Sequence, residues 1–219
     1  MLSDRPAFFR KRAKSKDMGR FSQPIGGVVF DMDATLVDSR LDYVAMKTEM
    51  GLPLDQPVLE SLAKISDPAT TERCLRILAR HEREAAETAW WIDGAVDLLE
   101  HLLGAGLSVG IVTRNSRVAA ELTLGRLGSP VRDLLTRDDA PHKPDPAAIH
   151  MLCDRWRLPP ARVVMVGDYL FDVQAGKNAG AGTLLFATEE TDDADRRLAA
   201  ELADGVVTRL LEVREWVLA

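Results

Sequence analysis

The stretch Ile25-Gly26-Gly27-Val28-Val29-Phe30-Asp31-Met32-Asp33-Ala34-Thr35 decides how the chain is read. A short apolar run with β-branched residues follows two glycines and ends abruptly in two carboxylates. Such a run predicts a strand over Ile25–Asp31, buried on both faces. Leu107–Thr113 (LSVGIVT) and Arg162–Asp168 (RVVMVGD) repeat the pattern, and Gly182–Ala187 and Gly205–Thr208 are weaker copies. Between them the chain reads as helix at Asp93–Leu103, Ser116–Leu127, Pro146–Trp156, Asp172–Ala179, Asp192–Leu202 and Leu210–Leu218. Strands alternating with helices predict an α/β fold, a doubly wound parallel sheet covered on both faces. Ligands of such sheets bind beyond the carboxyl ends of the strands.

Residues Ser39–Ala89 break the alternation, with helical patterns at about 41–50, 56–65 and 69–89. The expected organisation is therefore a core of residues 24–39 and 92–219, with a small helical domain, residues 40–91, inserted after the first strand. Residues 1–23 carry seven basic and two acidic side chains, a net +5 within a chain of net −6. This segment is expected to be a flexible basic arm, and it lacks the apolar stretch of a secretory signal. The acidic remainder excludes a general nucleic-acid binder. No run of 18 apolar residues exists to span a membrane. Cys74 and Cys153 stand far apart and read as reduced thiols, and the four histidines have no zinc spacing. The expected location is the cytoplasm.

Polar residues gather at the ends of three strands. Asp31 and Asp33 can serve a metal or act as an acid–base pair, or they can form an acidic loop that caps a helix. Thr113, Arg114, Asn115 and Ser116 offer hydroxyl and N–H groups where a helix begins, which suits an anion or an ordinary N-cap. Lys143 lies in His142-Lys143-Pro144-Asp145-Pro146, where two prolines stiffen the backbone around a single positive charge. Asp168 and Asp172 can join Asp31 around a hard cation such as Mg²⁺, or they can cap the helix that follows. Each bland reading stands by itself, but the four motifs come in order at strand ends that this topology brings to one edge.

Taken together, DMDATLVDS, IVTRN, HKPDP and GDYLFDVQAG resemble the phosphatase branch of the haloacid dehalogenase superfamily, phosphoglycolate-phosphatase-like members in particular. The resemblance spans residues 25 to about 190. It implies an α/β core with a helical cap and a Mg²⁺-dependent phosphatase of a small phosphorylated metabolite, phosphoglycolate-like or a sugar phosphate. It further implies that Asp31 is the nucleophile that forms an aspartyl-phosphate, Asp33 the general acid and base, and Lys143 the catalytic cation. Thr113, Arg114 and Asn115 would hold the phosphoryl group. The metal would be held by Asp31, the backbone carbonyl of Asp33, Asp168 and Asp172. Alternatives are a phosphosugar mutase on the same scaffold, or a non-catalytic protein that binds through its basic arm. The molecule is expected to be a monomer or homodimer, with neither membrane nor nucleic acid as partner. Ala34 stands where the family usually has glycine, and is expected to fit at little cost. The candidates for substrate selection in the cap are Arg40, Tyr43, Lys47, Arg73 and Arg76.

Overall fold

A computed structural model describes residues 21–187 and 193–218. The expected basic arm lies largely outside the described residues. Five strands occur where the apolar runs predict them: β1 (Gly27–Phe30), β4 (Ser108–Val112), β6 (Val163–Gly167), β7 (Gly182–Phe186) and β8 (Gly205–Val207). With the short β5 (Asp133–Leu135) they form one parallel sheet in the order β5-β4-β1-β6-β7-β8. The chain builds outward from β1 through β4 to β5, then returns to build β6, β7 and β8 on the other side. The strand order therefore switches at β1, and the crevice of such a sheet opens at that point.

Side chains alternate across the sheet, so each strand feeds two cores. Val28, Phe30, Ile111 and Val166 face α4 (Ala95–Gly104), through Leu98, Leu99 and Leu102, and α9 (Glu212–Val217). Val29, Val112 and Met165 face α6 (Ala147–Trp156), through Ile149 and Leu152, and α7 (Leu170–Ala179), through Ala175 and Ala179. Helix α6 can approach because Gly110 has no side chain; a Cβ there would sit 2.8 Å from Leu152 and 2.9 Å from the Trp156 ring. Helices α5 (Arg117–Arg126) and α8 (Ala194–Leu202) complete the two layers.

Between β1 and α4 the chain leaves the sheet as α1 (Tyr43–Met50), α2 (Val58–Leu62) and α3 (Pro68–Thr88). These three helices bury Met46, Met50, Val58, Leu62, Cys74 and Leu78 against one another, a core separate from those of the sheet. Asp42 and Asp67 start α1 and α3 by accepting from Ala45 N–H and Thr70 N–H.

The two connections to this unit run side by side. β2 (Val37–Asp38) pairs antiparallel with β3 (Trp90–Trp91), and Ile92 N–H donates to Leu36 O at 2.9 Å. Nothing in the residue pattern marks either strand, because two-residue strands have no periodicity and are held together only by tertiary pairing. Ala34 adopts φ +55°, in the left-handed region. The conformation usual for glycine is kept here by an alanine, at a cost of roughly 1 kcal/mol.

Candidate active site

Asp31 is the first residue past β1, tied to the sheet by its N–H, which donates to Val166 O at 2.9 Å. Thr113 and Asp168 stand at the same edge, just past β4 and β6. Lys143 reaches that edge from the loop before α6. All eight candidates (Asp31, Asp33, Thr113, Arg114, Asn115, Lys143, Asp168 and Asp172) line one cavity of about 590 Å³, between the sheet edge and the inserted helices.

Lys143 is 2 % exposed, and its Nζ donates to Asp31 Oδ1 at 2.5 Å and Asp172 Oδ1 at 2.6 Å. Burial disfavours its charge, but the Asp172 and Asp31 carboxylates outweigh burial and hold the ammonium above its ordinary range. Asp172 does two jobs. Its Oδ2 accepts from Tyr169 N–H at 3.0 Å, capping α7, while Oδ1 faces Lys143. It folds this close to the strand only because residue 167 is glycine; a Cβ there would lie 2.2 Å from the Asp172 Cγ.

Asp33 Oδ2 accepts from Asn115 Nδ2 at 2.7 Å, and its Oδ1 is buried without a hydrogen-bond partner among the described residues. Burial raises its carboxyl, against the lowering effect of the neighbouring Ser39 hydroxyl and the Asn115 amide. Burial likewise raises Asp31 well above the carboxylate range; Lys143 opposes this, and Asp172, Asp168 and Asp33 add to it. Burial and Asp172 push Asp168 up to about 6, against Arg196, whose Nη2 lies 2.7 Å from its Oδ2.

Asp31, Asp168 and Asp172 each offer an oxygen, all within 4.8 Å of one another. Among the described residues, the cations touching these three and Asp33 are Lys143 and Arg196. With all four ionised, four carboxylates against two cations would leave an excess of buried negative charge. Hard oxygen donors with that excess fit a divalent cation such as Mg²⁺.

The other strand-end residues divide their work. Asn115 orients Asp33, and Asn115 N–H itself donates to Thr113 Oγ1 at 3.1 Å. The Arg114 guanidinium turns away from the acids. It pairs with both oxygens of Glu60 at 2.8 and 2.7 Å, donates to Lys143 O at 2.8 Å, and lies 4.4 Å from the centre of the Phe171 ring. Of the candidates for substrate selection, Arg40, Tyr43 and Lys47 line the cavity. Arg73 and Arg76 do not. Arg73 donates to the Glu49 and Met50 carbonyls inside the helical unit, and Arg76 pairs with Glu72 on its surface.

The residue pattern gave no hint of Glu82, Arg137 or Arg196. Glu82 is 4 % exposed on α3, takes the Ser116 hydroxyl at 2.8 Å, and pairs with Arg137. An acidic residue in a charged helix looks solvated until its partner is known, and that partner lies 55 residues away.

Residues 41–186 match the haloacid dehalogenase-like hydrolase family. The chain is 33% identical over 178 residues to an N-acetylmuramic acid 6-phosphate phosphatase of Pseudomonas putida, covering 71% of this chain and 80% of that one. It is 29% identical to a phosphoglycolate phosphatase of Rhodospirillum rubrum, covering 73% and 78%. A haloacid dehalogenase-like family hydrolase from Streptococcus pneumoniae has the same fold, with a TM-score of 0.69, 21% identity and coverage of 88% and 98%.

Proposed function

Since the chain belongs to the haloacid dehalogenase-like hydrolase family, we propose that it is a Mg²⁺-dependent phosphatase of small phosphomonoesters that works through an aspartyl-phosphate on Asp31. The observation that carries this reading is the pairing of Asp31, held against Lys143, with Asp33, whose Oδ1 is buried without a hydrogen-bond partner among the described residues. One carboxylate is fixed for attack, and the other keeps a free oxygen for a proton.

In the first step an Asp31 oxygen forms a bond to phosphorus as the bond to the alcohol oxygen breaks, and Asp33 gives that oxygen its proton. In the second step Asp33 takes a proton from water as the water oxygen attacks phosphorus, and the Asp31 carboxylate leaves with inorganic phosphate released. The raised carboxyl of Asp33 suits an acid that must be protonated at the start. Thr113 Oγ and the Arg114 N–H would hold phosphoryl oxygens, with Asn115 acting through Asp33. Lys143 would balance the charge that builds on them. Asp31, the Asp33 carbonyl, Asp168 and Asp172 would hold Mg²⁺, which when bound offsets repulsion between the phosphoryl group and the nucleophile.

In this reading residues 24–39 and 92–219 are the catalytic core, and residues 40–91 are a cap that excludes water from the cleft. The test is turnover of p-nitrophenyl phosphate with and without Mg²⁺. Turnover that depends on Mg²⁺ and stops with chelator is expected. Full turnover in excess chelator, with metal content measured as nil, would overturn the metal assignment.

A further inference from the structure

Among the described residues, six cations line the cavity: Arg40, Lys47, Arg114, Arg137, Lys143 and Arg196. Lys143 serves Asp31 and Asp172, and Arg196 serves Asp168 and Asp193. Arg114 is engaged by both oxygens of Glu60, and Arg137 by both oxygens of Glu82. Each of these arginines also donates to a backbone carbonyl, Lys143 O at 2.8 Å and Arg114 O at 2.9 Å. Arg40 rests on Trp90, 4.2 Å from the ring centre, with Asp38 at 3.9 Å. Lys47 donates to the Leu54 carbonyl at 2.9 Å, and Asp55, the next residue, also lines the cavity.

Asp55 and Asp38, whose Oδ1 takes the Arg40 N–H at 3.1 Å, offer carboxylate oxygens, and the half-exposed Tyr43 offers a hydroxyl. Leu41, Met46, Leu54 and Val58 supply an apolar wall. Carboxylates accept from hydroxyl groups and repel another carboxylate, and like charges brought together in an enclosed site are strongly disfavoured. The volume is in the range of sites for ligands of sugar-phosphate size.

We infer that the alcohol released by this enzyme is an uncharged, hydroxyl-rich one, a phosphorylated sugar or polyol, and that the cap's Glu60 and Glu82 deny Arg114 and Arg137 to substrates whose leaving group is anionic. The inference rests on the phosphatase reading above and narrows its substrate class.

The experiment measures kcat/KM with Mg²⁺ for glucose 6-phosphate, glycerol 3-phosphate, 2-phosphoglycolate and pyrophosphate, with p-nitrophenyl phosphate as reference, in wild type and Glu60→Gln. Expected in wild type is a preference of about tenfold or more for the two neutral alcohols. Glu60→Gln should leave p-nitrophenyl phosphate turnover unchanged and raise phosphoglycolate relative to glucose 6-phosphate severalfold, because Arg114 gains an open charge. A purely structural role for Glu60 would lower all rates together, leave that ratio fixed and overturn the part assigned to Glu60. A wild-type preference for phosphoglycolate or pyrophosphate, lost in Lys47→Ala, would overturn the inference and give the leaving-group end to Lys47. No turnover of any compound, p-nitrophenyl phosphate included, would overturn the phosphatase reading and this inference with it.

Discussion

At residue 34 the backbone keeps a left-handed turn that an alanine must hold at φ +55°. The side chain is exposed, so it has no packing to lose. Ala34→Gly should therefore stabilise the fold by about 0.5 kcal/mol, the relieved strain less the extra freedom of glycine in the unfolded chain. Chemical denaturation measures this directly, and an unchanged or lower midpoint would contradict it. Asp33 gives a second prediction at this scale. Asn115 anchors one of its oxygens, and the other is free to exchange a proton. Asp33→Asn keeps the shape and removes the proton. Turnover of an alkyl phosphate should fall by about 10²–10⁴-fold with little change in Tm. An equal rate in the variant would remove Asp33 from the proton path. Both residues were legible in DMDAT, because the short motif lies within one strand-to-turn junction. What the motif left open was the use of each oxygen, which depends on Asn115, 82 residues away.

Among the elements, the legible ones are those that carry their own pattern. β1, β4, β6 and β7 are buried runs of β-branched and aliphatic residues, and such runs read as central strands wherever they occur. β5 has three residues, Asp-Leu-Leu, and becomes a strand only because Gly110–Val112 of β4 offers an edge. The β2–β3 ribbon likewise exists only in the pairing of Val37 with Trp91 and Asp38 with Trp90. The three inserted helices were legible from their spacing, but their docking was not. Helix α3 meets the sheet domain through Glu82, which binds Ser116 at the start of α5 and Arg137 beyond β5. Removing one partner of a buried pair leaves the other charge without compensation. Glu82→Ala should destabilise the protein by about 3 kcal/mol, and Glu82→Gln by less. A thermal melt within a degree of wild type for Glu82→Ala would show that this contact carries no stability.

In the whole molecule, the topology gathers residues far apart in the chain at one edge, where four carboxyls meet two cations. A divalent cation that binds the folded state alone must stabilise it, by about 2.7 kcal/mol at a concentration one hundred times its dissociation constant. Mg²⁺ should raise Tm in wild type and do so much less in Asp168→Asn, whatever the catalytic state of either protein. An equal rise in both would place the ion elsewhere. No helix among the described residues is long and apolar enough to cross a membrane. The central claim is that Asp31 attacks phosphorus, and it is tested most directly by comparing wild type with Asp31→Asn on p-nitrophenyl phosphate at saturating Mg²⁺. The account predicts a loss of about a thousandfold or more with the circular dichroism spectrum unchanged. Turnover within a few-fold of wild type in carefully purified Asp31→Asn protein would contradict it.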